Sequence, residues 1–238
     1  MIKQYLIYVV LSLVAIVFFV WGFKLHAKVL FLKYKLLKLN HDIHSSYIGI
    51  VQTLARAIGA KDSYAFSHAT RARRYAKLIA KEMGLEKDIV RQVKYASLMH
   101  DIGKIGISES ILKKDSSLTK QEKDVIKMHP IIGYNIIAPI HFLSEIALLV
   151  LYHQEWYDGS GYPEGLKGEE IPLGARIIAV IDAYDAMTSD RPYRKSLGKD
   201  AAIKELINGS GTQFDPKVVN TFVNILKLNQ SIKKNILI

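Results

Sequence analysis

Six residues of this sequence have the types to do chemistry together. An adjacent pair, His100-Asp101, follows a stretch whose neighbours Ala96, Leu98 and Met99 are apolar. A histidine and an aspartate at the end of a buried helix each need a partner, because unpaired buried charge is costly. Taken in isolation the pair reads as a structural His–Asp hydrogen bond. It is not isolated: His68, His129 and His153 stand in helical or helix-terminal contexts, and Asp182 breaks the apolar run that begins at Ile177. An aspartate on an apolar helix needs a counter-charge, which a metal ion supplies. Four separated histidines and two aspartates on a helical scaffold point to metal ligation.

A second set of residues suits an anionic ligand. The loop Asp158–Pro163 contains two glycines, so its backbone can adopt positive φ and approach a ligand closely. Tyr162 within it offers a ring and a hydroxyl; by itself the loop would be a tight surface turn with an incidental aromatic. Arg191 and Arg194, three apart, can face one phosphate, since guanidinium forks match phosphate oxygens; exposed arginines after a helix are otherwise simply solubilising. Lys104 stands three residues beyond Asp101 and, outside any motif, would be a solvated surface lysine.

The segments that carry these residues have helical patterns. Ser67–Met83 is rich in Ala, Lys and Arg and is stopped by Gly84, a suitable C-terminal cap. Lys87–Leu98 puts Ile89, Val93 and Ala96 on one side. Thr119 with Glu122 three residues on is a capping box. Leu173–Ser189 is strongly apolar, and Asp215-Pro216 is a helix N-cap followed by proline at the first helical position. No segment alternates like a strand, no repeat is present, and the one long irregular stretch, Asp158–Pro172, is of the kind that usually carries function in a compact helical domain. The expected fold is all-α, a helical bundle.

The N-terminus differs. From Tyr5 to Phe23 runs an almost unbroken apolar stretch of about 19 residues, enough to cross a bilayer as a helix. A buried soluble helix or a cleavable signal is the alternative; the apolar core is long for a signal, and no clear small-x-small site follows. Residues 1–23 are expected to form a transmembrane anchor. Lys3 precedes the span, whereas Lys24, Lys28, Lys33, Lys35 and Lys38 follow it, which places the remainder in the cytoplasm. Residues 24–46 carry apolar side chains at Leu25, Val29, Leu32, Leu36, Leu39 and Ile43, the a/d seam of a heptad. That seam suits a parallel homodimer or a helix lying on its own domain. Part of the net charge of +11 sits in the juxtamembrane lysines, where an anionic lipid surface accounts for it. The rest is scattered rather than gathered in an aromatic-interleaved stripe, so no nucleic-acid polymer is expected as a partner. The absence of cysteine fits a reducing compartment without requiring one.

His-Asp-Ile-Gly-Lys (His100–Lys104), His129-Pro130, Asp-Gly-Ser-Gly-Tyr-Pro (Asp158–Pro163) and the run from Asp182 to Arg194 resemble the successive signatures of the HD-GYP family. That family is a branch of the HD metal-dependent phosphohydrolases. The resemblance extends over roughly residues 47 to 226, in family order. It implies an HD-GYP domain over residues 47–238 with cyclic di-GMP as substrate and linear pGpG, GMP or both as product; with the apolar span before it, the domain is expected to be held at the cell inner membrane by a single pass. It further implies metal ligands at His68, His100, Asp101, His129, His153 and Asp182, with Asp101 bridging two divalent ions. Such a donor set suits iron or manganese, and two ions together can activate water and polarise a phosphoryl oxygen. Lys104, Tyr162, Arg191 and Arg194 then become substrate-binding residues, and Asp101 and Lys104 catalytic ones.

Two positions depart from the family pattern. A second histidine usually follows the one at His153, but Gln154 stands here, and an amide oxygen is a weak ligand, which puts the second ion in doubt. Tyr64 stands where trinuclear members carry a glutamate, four residues before the first ligand histidine, which argues against a third ion. Three readings remain open on the sequence: an active cyclic di-GMP phosphodiesterase, a metal-depleted domain that binds the nucleotide or a protein partner, and a hydrolase of another cyclic nucleotide.

Overall fold

The structure is a computed structural model that describes residues 2–61, 63–114, 116–190 and 195–236; Arg191 and Arg194 therefore lie outside the described residues. The chain divides into two compact units, Met1–Gly49 and Ile50–Ile238. Helix α1 (Ile2–Lys61) supplies the first unit and the opening helix of the second. It is long and apolar enough to cross a membrane. Along the first unit the heptad residues Leu25, Val29, Leu32, Leu36, Leu39 and Ile43 are all exposed.

The second unit is built from helices alone, and among its described residues there is no strand, only an isolated bridge between Ser210 and Phe214. Val51 and Ala55 of α1 are buried within it. Helix α2 (Ser63–Glu82) buries Ala72, Ala76, Ile79 and Ala80, a stripe at helical spacing whose small residues let its neighbours approach closely. Gly84 ends it with φ of +72°: the Leu85 amide bonds the Ala80 carbonyl at 3.0 Å, and the Gly84 amide bonds that of Lys81 at 3.0 Å. This double closure satisfies carbonyls that the last turn would otherwise leave open. Helix α3 (Lys87–Met99) packs against α2 and leads into a 3-10 turn, Ile102–Gly106.

Short helices follow: α4 (Glu109–Leu112), α5 (Lys120–Ile126), α6 (His129–Ile137) and α7 (Ser144–Leu151). The capping box of α5 has both arms, with the Glu122 amide donating to Thr119 Oγ1 at 3.2 Å and the Thr119 amide to Glu122 Oε2 at 2.7 Å. Helix α8 (Leu173–Thr188) packs on α2, α3 and α7. Helices α9 (Lys199–Asn208) and α10 (Pro216–Ile236) close the bundle against it. Asp215 caps α10 as expected, one oxygen accepting the Lys217 amide at 2.7 Å and the other Arg176 Nη1 at 2.6 Å. Tyr75, Tyr184 and Phe222 meet edge to face, with ring centroids 5.0–5.8 Å apart, a geometry that aromatic quadrupoles favour.

The close approach that matters most to the site is at Gly103. A Cβ there would lie 1.8 Å from the His129 carbonyl oxygen and 2.6 Å from the Gly133 amide. The turn after α3 is thus pressed onto the first turn of α6, which brings His129 beside Asp101.

Candidate metal centre

Three of the four histidines sit where a helix ends, and each uses a carbonyl that its helix leaves open. His100 Nδ1 lies 2.9 Å from the Ser97 carbonyl at the end of α3. His129 Nδ1 lies 2.8 Å from that of Ile126 at the end of α5, and His153 Nδ1 lies 2.7 Å from that of Val150 at the end of α7. The last carbonyls of a helix have no intrahelical donor, and a carbonyl only accepts, so each Nδ1 carries the proton. His68 lies inside α2, where carbonyls are committed to the helix. Its Nδ1 instead reaches Asp185 of α8 at 2.6 Å.

Fixing Nδ1 as donor turns the four Nε2 atoms toward one another. Nε2 of His68 and His100 are 3.1 Å apart, and so are those of His129 and His153. In neutral imidazoles these would be lone pairs facing lone pairs, so each pair calls for positive charge, either a proton on one nitrogen or a metal ion beside them. Asp101 stands between the two pairs, Oδ2 at 3.6 Å from His100 Nε2 and Oδ1 at 3.7 Å from His129 Nε2. Asp182 Oδ1 lies 3.3 Å from His68 Nε2 and 3.9 Å from His100 Nε2. Two ligand sets result, His68–His100–Asp101 and Asp101–His129–His153, each with its donor atoms within 4.8 Å and sharing one aspartate. The donors fit divalent first-row ions, and each histidine has the oxygen partner on its far nitrogen that metal-bound histidines commonly have.

The electrostatics carry the same demand for positive charge. Burial alone would raise the Asp101 carboxyl, but Lys104 and then His100 outweigh it and hold it well below the usual carboxylate range. Burial would likewise raise Asp182, yet the hydrogen bond from His68 keeps it ionised. Burial lowers His68, but Asp182 and Asp185 outweigh it and lift this imidazole to about 10. At the other end, burial together with His100 and His129 drops His153 to about 3. The cluster therefore holds a proton at the His68 end and bare nitrogen at the His153 end.

All six metal-ligand candidates of the sequence thus converge on one place. Lys104 Nζ is paired with Asp101 Oδ2 at 2.8 Å. Gln154, expected to be at best a weak ligand through its amide oxygen, instead donates its amide N–H to Asp182 Oδ2 at 3.3 Å. Tyr162 belongs to the same neighbourhood, since burial first and then the Asp182 and Asp101 carboxylates push its hydroxyl well above the ordinary phenol range. Its loop is folded onto the metal-bearing segment. The Tyr162 amide bonds the Gln154 carbonyl at 3.2 Å, and a Cβ on Gly161 would lie 2.2 Å from the Trp156 nitrogen.

Sequence reasoning missed two residues here. Asp185 takes His68 Nδ1 and also Arg71, Nε to Oδ1 at 2.5 Å and Nη2 to Oδ2 at 2.8 Å. The signal was present in the spacing, since residues 182 and 185 share a face one helical turn apart. Glu155 is buried, and its Oε1 accepts the amides of Glu164 at 2.7 Å and Gly165 at 3.0 Å, closing the loop that carries Tyr162.

Comparisons with known proteins bear on this arrangement. Residues 52–218 match the model of the HD domain family. The cyclic di-GMP phosphodiesterase response regulator RpfG of Xanthomonas campestris is 40% identical over 198 residues, covering 82% of this chain and 52% of that protein. A cyclic di-GMP phosphodiesterase of Thermotoga maritima is 40% identical over 171 residues, covering 70% of this chain and 46% of that protein. The chain thus spans about half the length of the curated relatives it matches. The crystal structure of a cyclic GMP-AMP specific phosphodiesterase of V. cholerae superposes with a TM-score of 0.59 at 19% identity, covering 75% of this chain and 48% of that one, a likeness of fold. With the family model matched over most of its length and the successive HD-GYP motifs in place, the chain belongs to the HD domain family.

Proposed function

We propose that this protein is a metal-dependent phosphodiesterase that hydrolyses cyclic di-GMP to linear pGpG, GMP or both. The observation that carries the reading is the convergence of four Nε2 atoms and two carboxylates beside Lys104 and the Tyr162 loop. Its similarity to two cyclic di-GMP phosphodiesterases supports the choice of substrate. His68, His100, Asp101, His129, His153 and Asp182 would hold two divalent ions, iron or manganese by donor type. When bound, such ions supply Lewis-acid polarisation of a phosphodiester and a nucleophile at neutral pH. The chain's own groups orient the substrate. Lys104, already against Asp101, can share its ammonium with a non-bridging phosphate oxygen, and the Tyr162 hydroxyl, kept protonated by burial and the nearby carboxylates, can donate a hydrogen bond. Arg191 and Arg194 are assigned a phosphate contact from the family motif.

A substrate panel tests the reading. With saturating Mn2+, hydrolysis of cyclic di-GMP should exceed that of cyclic GMP-AMP and cyclic di-AMP. A preference for either alternative would move the assignment to another cyclic dinucleotide. Gln154 favours a second reading, a domain that binds the nucleotide without cleaving it; tight binding with no turnover under any metal would establish that instead. If the enzyme reading holds, activity should rise steeply with added metal, because a carboxamide replaces the usual imidazole. Gln154→His should then raise activity several-fold at limiting metal and little at saturation, as read by a metal titration of the initial rate.

We further assign residues 1–23 as a single-pass anchor in the inner membrane, 24–46 as a juxtamembrane heptad helix and 47–238 as the cytoplasmic catalytic domain. The exposed apolar surface of α1 supports the anchor. The exposed seam from Leu25 to Ile43 supports a parallel homodimer. Deleting residues before Tyr47 should release the protein from membranes and weaken dimerisation in sedimentation by at least about tenfold. A truncated protein that dimerises as tightly as the detergent-solubilised full chain would show the contact lies elsewhere.

A further inference from the structure

Lys127 follows α5 directly and stands two positions before His129. Its side chain is exposed, and its ammonium lies 5.4 Å from the centroid of the Tyr162 ring. Lys104, Lys113 and Lys114 are each committed to a carboxylate, at 2.8, 2.8 and 2.7 Å. Among the described residues no ion pair includes Lys127; the aromatic ring is what holds it. An exposed cation–π contact is weak, and an ammonium gives it up readily for a charge-assisted hydrogen bond to phosphate.

The ring that Lys127 covers belongs to the residue whose amide bonds the Gln154 carbonyl at 3.2 Å, and the Gln154 side chain in turn reaches Asp182 of the candidate metal centre at 3.3 Å. Lys127, two positions before His129 and over the Tyr162 ring, is thus beside the cluster without an ion pair to its carboxylates, while Lys104 pairs directly with Asp101. A cyclic dinucleotide carries two phosphodiesters. When one is presented to the metal centre, the other keeps its charge and needs cations at a distance from the ions, where Lys104 is not placed and where Lys127 can act alongside the phosphate contacts assigned to Arg191 and Arg194.

Resting on the functional reading above, we propose that Lys127 binds the second phosphate of the cyclic dinucleotide and so selects substrates with two phosphates. Leaving the Tyr162 ring for that phosphate, its ammonium would free the aromatic face for a base to stack on.

The test compares cyclic di-GMP with bis(p-nitrophenyl) phosphate, a diester with one phosphate, on full-length detergent-solubilised protein with saturating Mn2+. Lys127→Met should raise KM for cyclic di-GMP about tenfold, the usual worth of a charge-assisted contact of this kind. It should leave kcat for cyclic di-GMP, and both constants for the one-phosphate diester, within about twofold. Lys127→Arg should retain most of the wild-type KM, and the effect of Lys127→Met should shrink at high salt. Equal losses on both substrates would overturn the proposal by making Lys127 a support of the metal centre, and unchanged KM would overturn it by making the residue a solvated lysine. A wild-type protein inactive on both diesters would sink the hydrolase reading itself, and this assignment with it.

Discussion

Asp101→Asn should eliminate hydrolysis and reduce bound metal together. Asp101 is the residue common to both ligand sets, with one oxygen toward His100 and the other toward His129. An asparagine keeps the volume, but it replaces one oxygen by an amide nitrogen and removes the charge that Lys104 and the histidines surround. Ions polarising a phosphodiester contribute several kcal/mol of charge stabilisation, so their loss corresponds to a fall in kcat of about a thousandfold or more. Metal content, measured by elemental analysis after gel filtration, should fall from the up to two ions per chain that the wild type retains to fewer than one. Circular dichroism should show the helical content unchanged, because the carboxylate sits at a turn and not in the packed core. Wild-type turnover with full metal content in this variant would refute the ligand assignment.

Asp185→Ala should weaken metal binding although Asp185 is not placed as a ligand. Its oxygen holds His68 Nδ1 at 2.6 Å and fixes which imidazole nitrogen faces the cluster. Removing such a partner typically costs about 10–100-fold in metal affinity, and leaving a buried donor without it costs about 1–3 kcal/mol of stability. The same residue shapes the pH response. Burial would lower His68, but Asp182 and Asp185 together raise it to about 10, so at neutral pH an incoming ion must displace a proton. Metal affinity should therefore climb as pH rises from about 6.5 to 8.5, roughly tenfold per unit for one displaced proton. In Asp185→Ala one of the two carboxylates that raise His68 is gone, so the slope should flatten as well as the affinity fall. Asp185→Asn, which retains one acceptor, should lie between. A merely structural role for Asp185 would lower the melting temperature and leave the pH slope as in the wild type.

Much of this arrangement was legible from residue types. The all-helical class followed from spacing and caps, and the stops at Gly84, the box at Thr119 and Glu122 and the cap at Asp215 formed as their side-chain chemistry requires. The six candidate ligands were visible because histidine and aspartate are rare on apolar helix faces. What could not be read was the backbone's share. The carbonyls of Ser97, Ile126 and Val150, which set three imidazole tautomers, belong to residues whose side chains play no part in that contact. Asp185 was hidden for a related reason. In sequence it looks like a second polar interruption of α8, and its partner Arg71 comes from a helix more than a hundred residues earlier. Residue type alone makes Gln154 a poor ligand through its oxygen, whereas in the fold its nitrogen finds Asp182. That preference depends on which neighbour the packing delivers.

One shared aspartate and four converging imidazoles would make a two-ion hydrolytic centre. It is tested most directly by purifying the full chain anaerobically, counting its bound metal and assaying the same sample on cyclic di-GMP. Up to two iron or manganese ions per chain are expected, with hydrolysis that tracks occupancy as metal is titrated, and loss of both on chelation followed by recovery when metal is restored. A protein that hydrolyses cyclic di-GMP undiminished after its metal has been removed, or one that binds two ions tightly and never hydrolyses it, would rule out a two-ion hydrolytic centre.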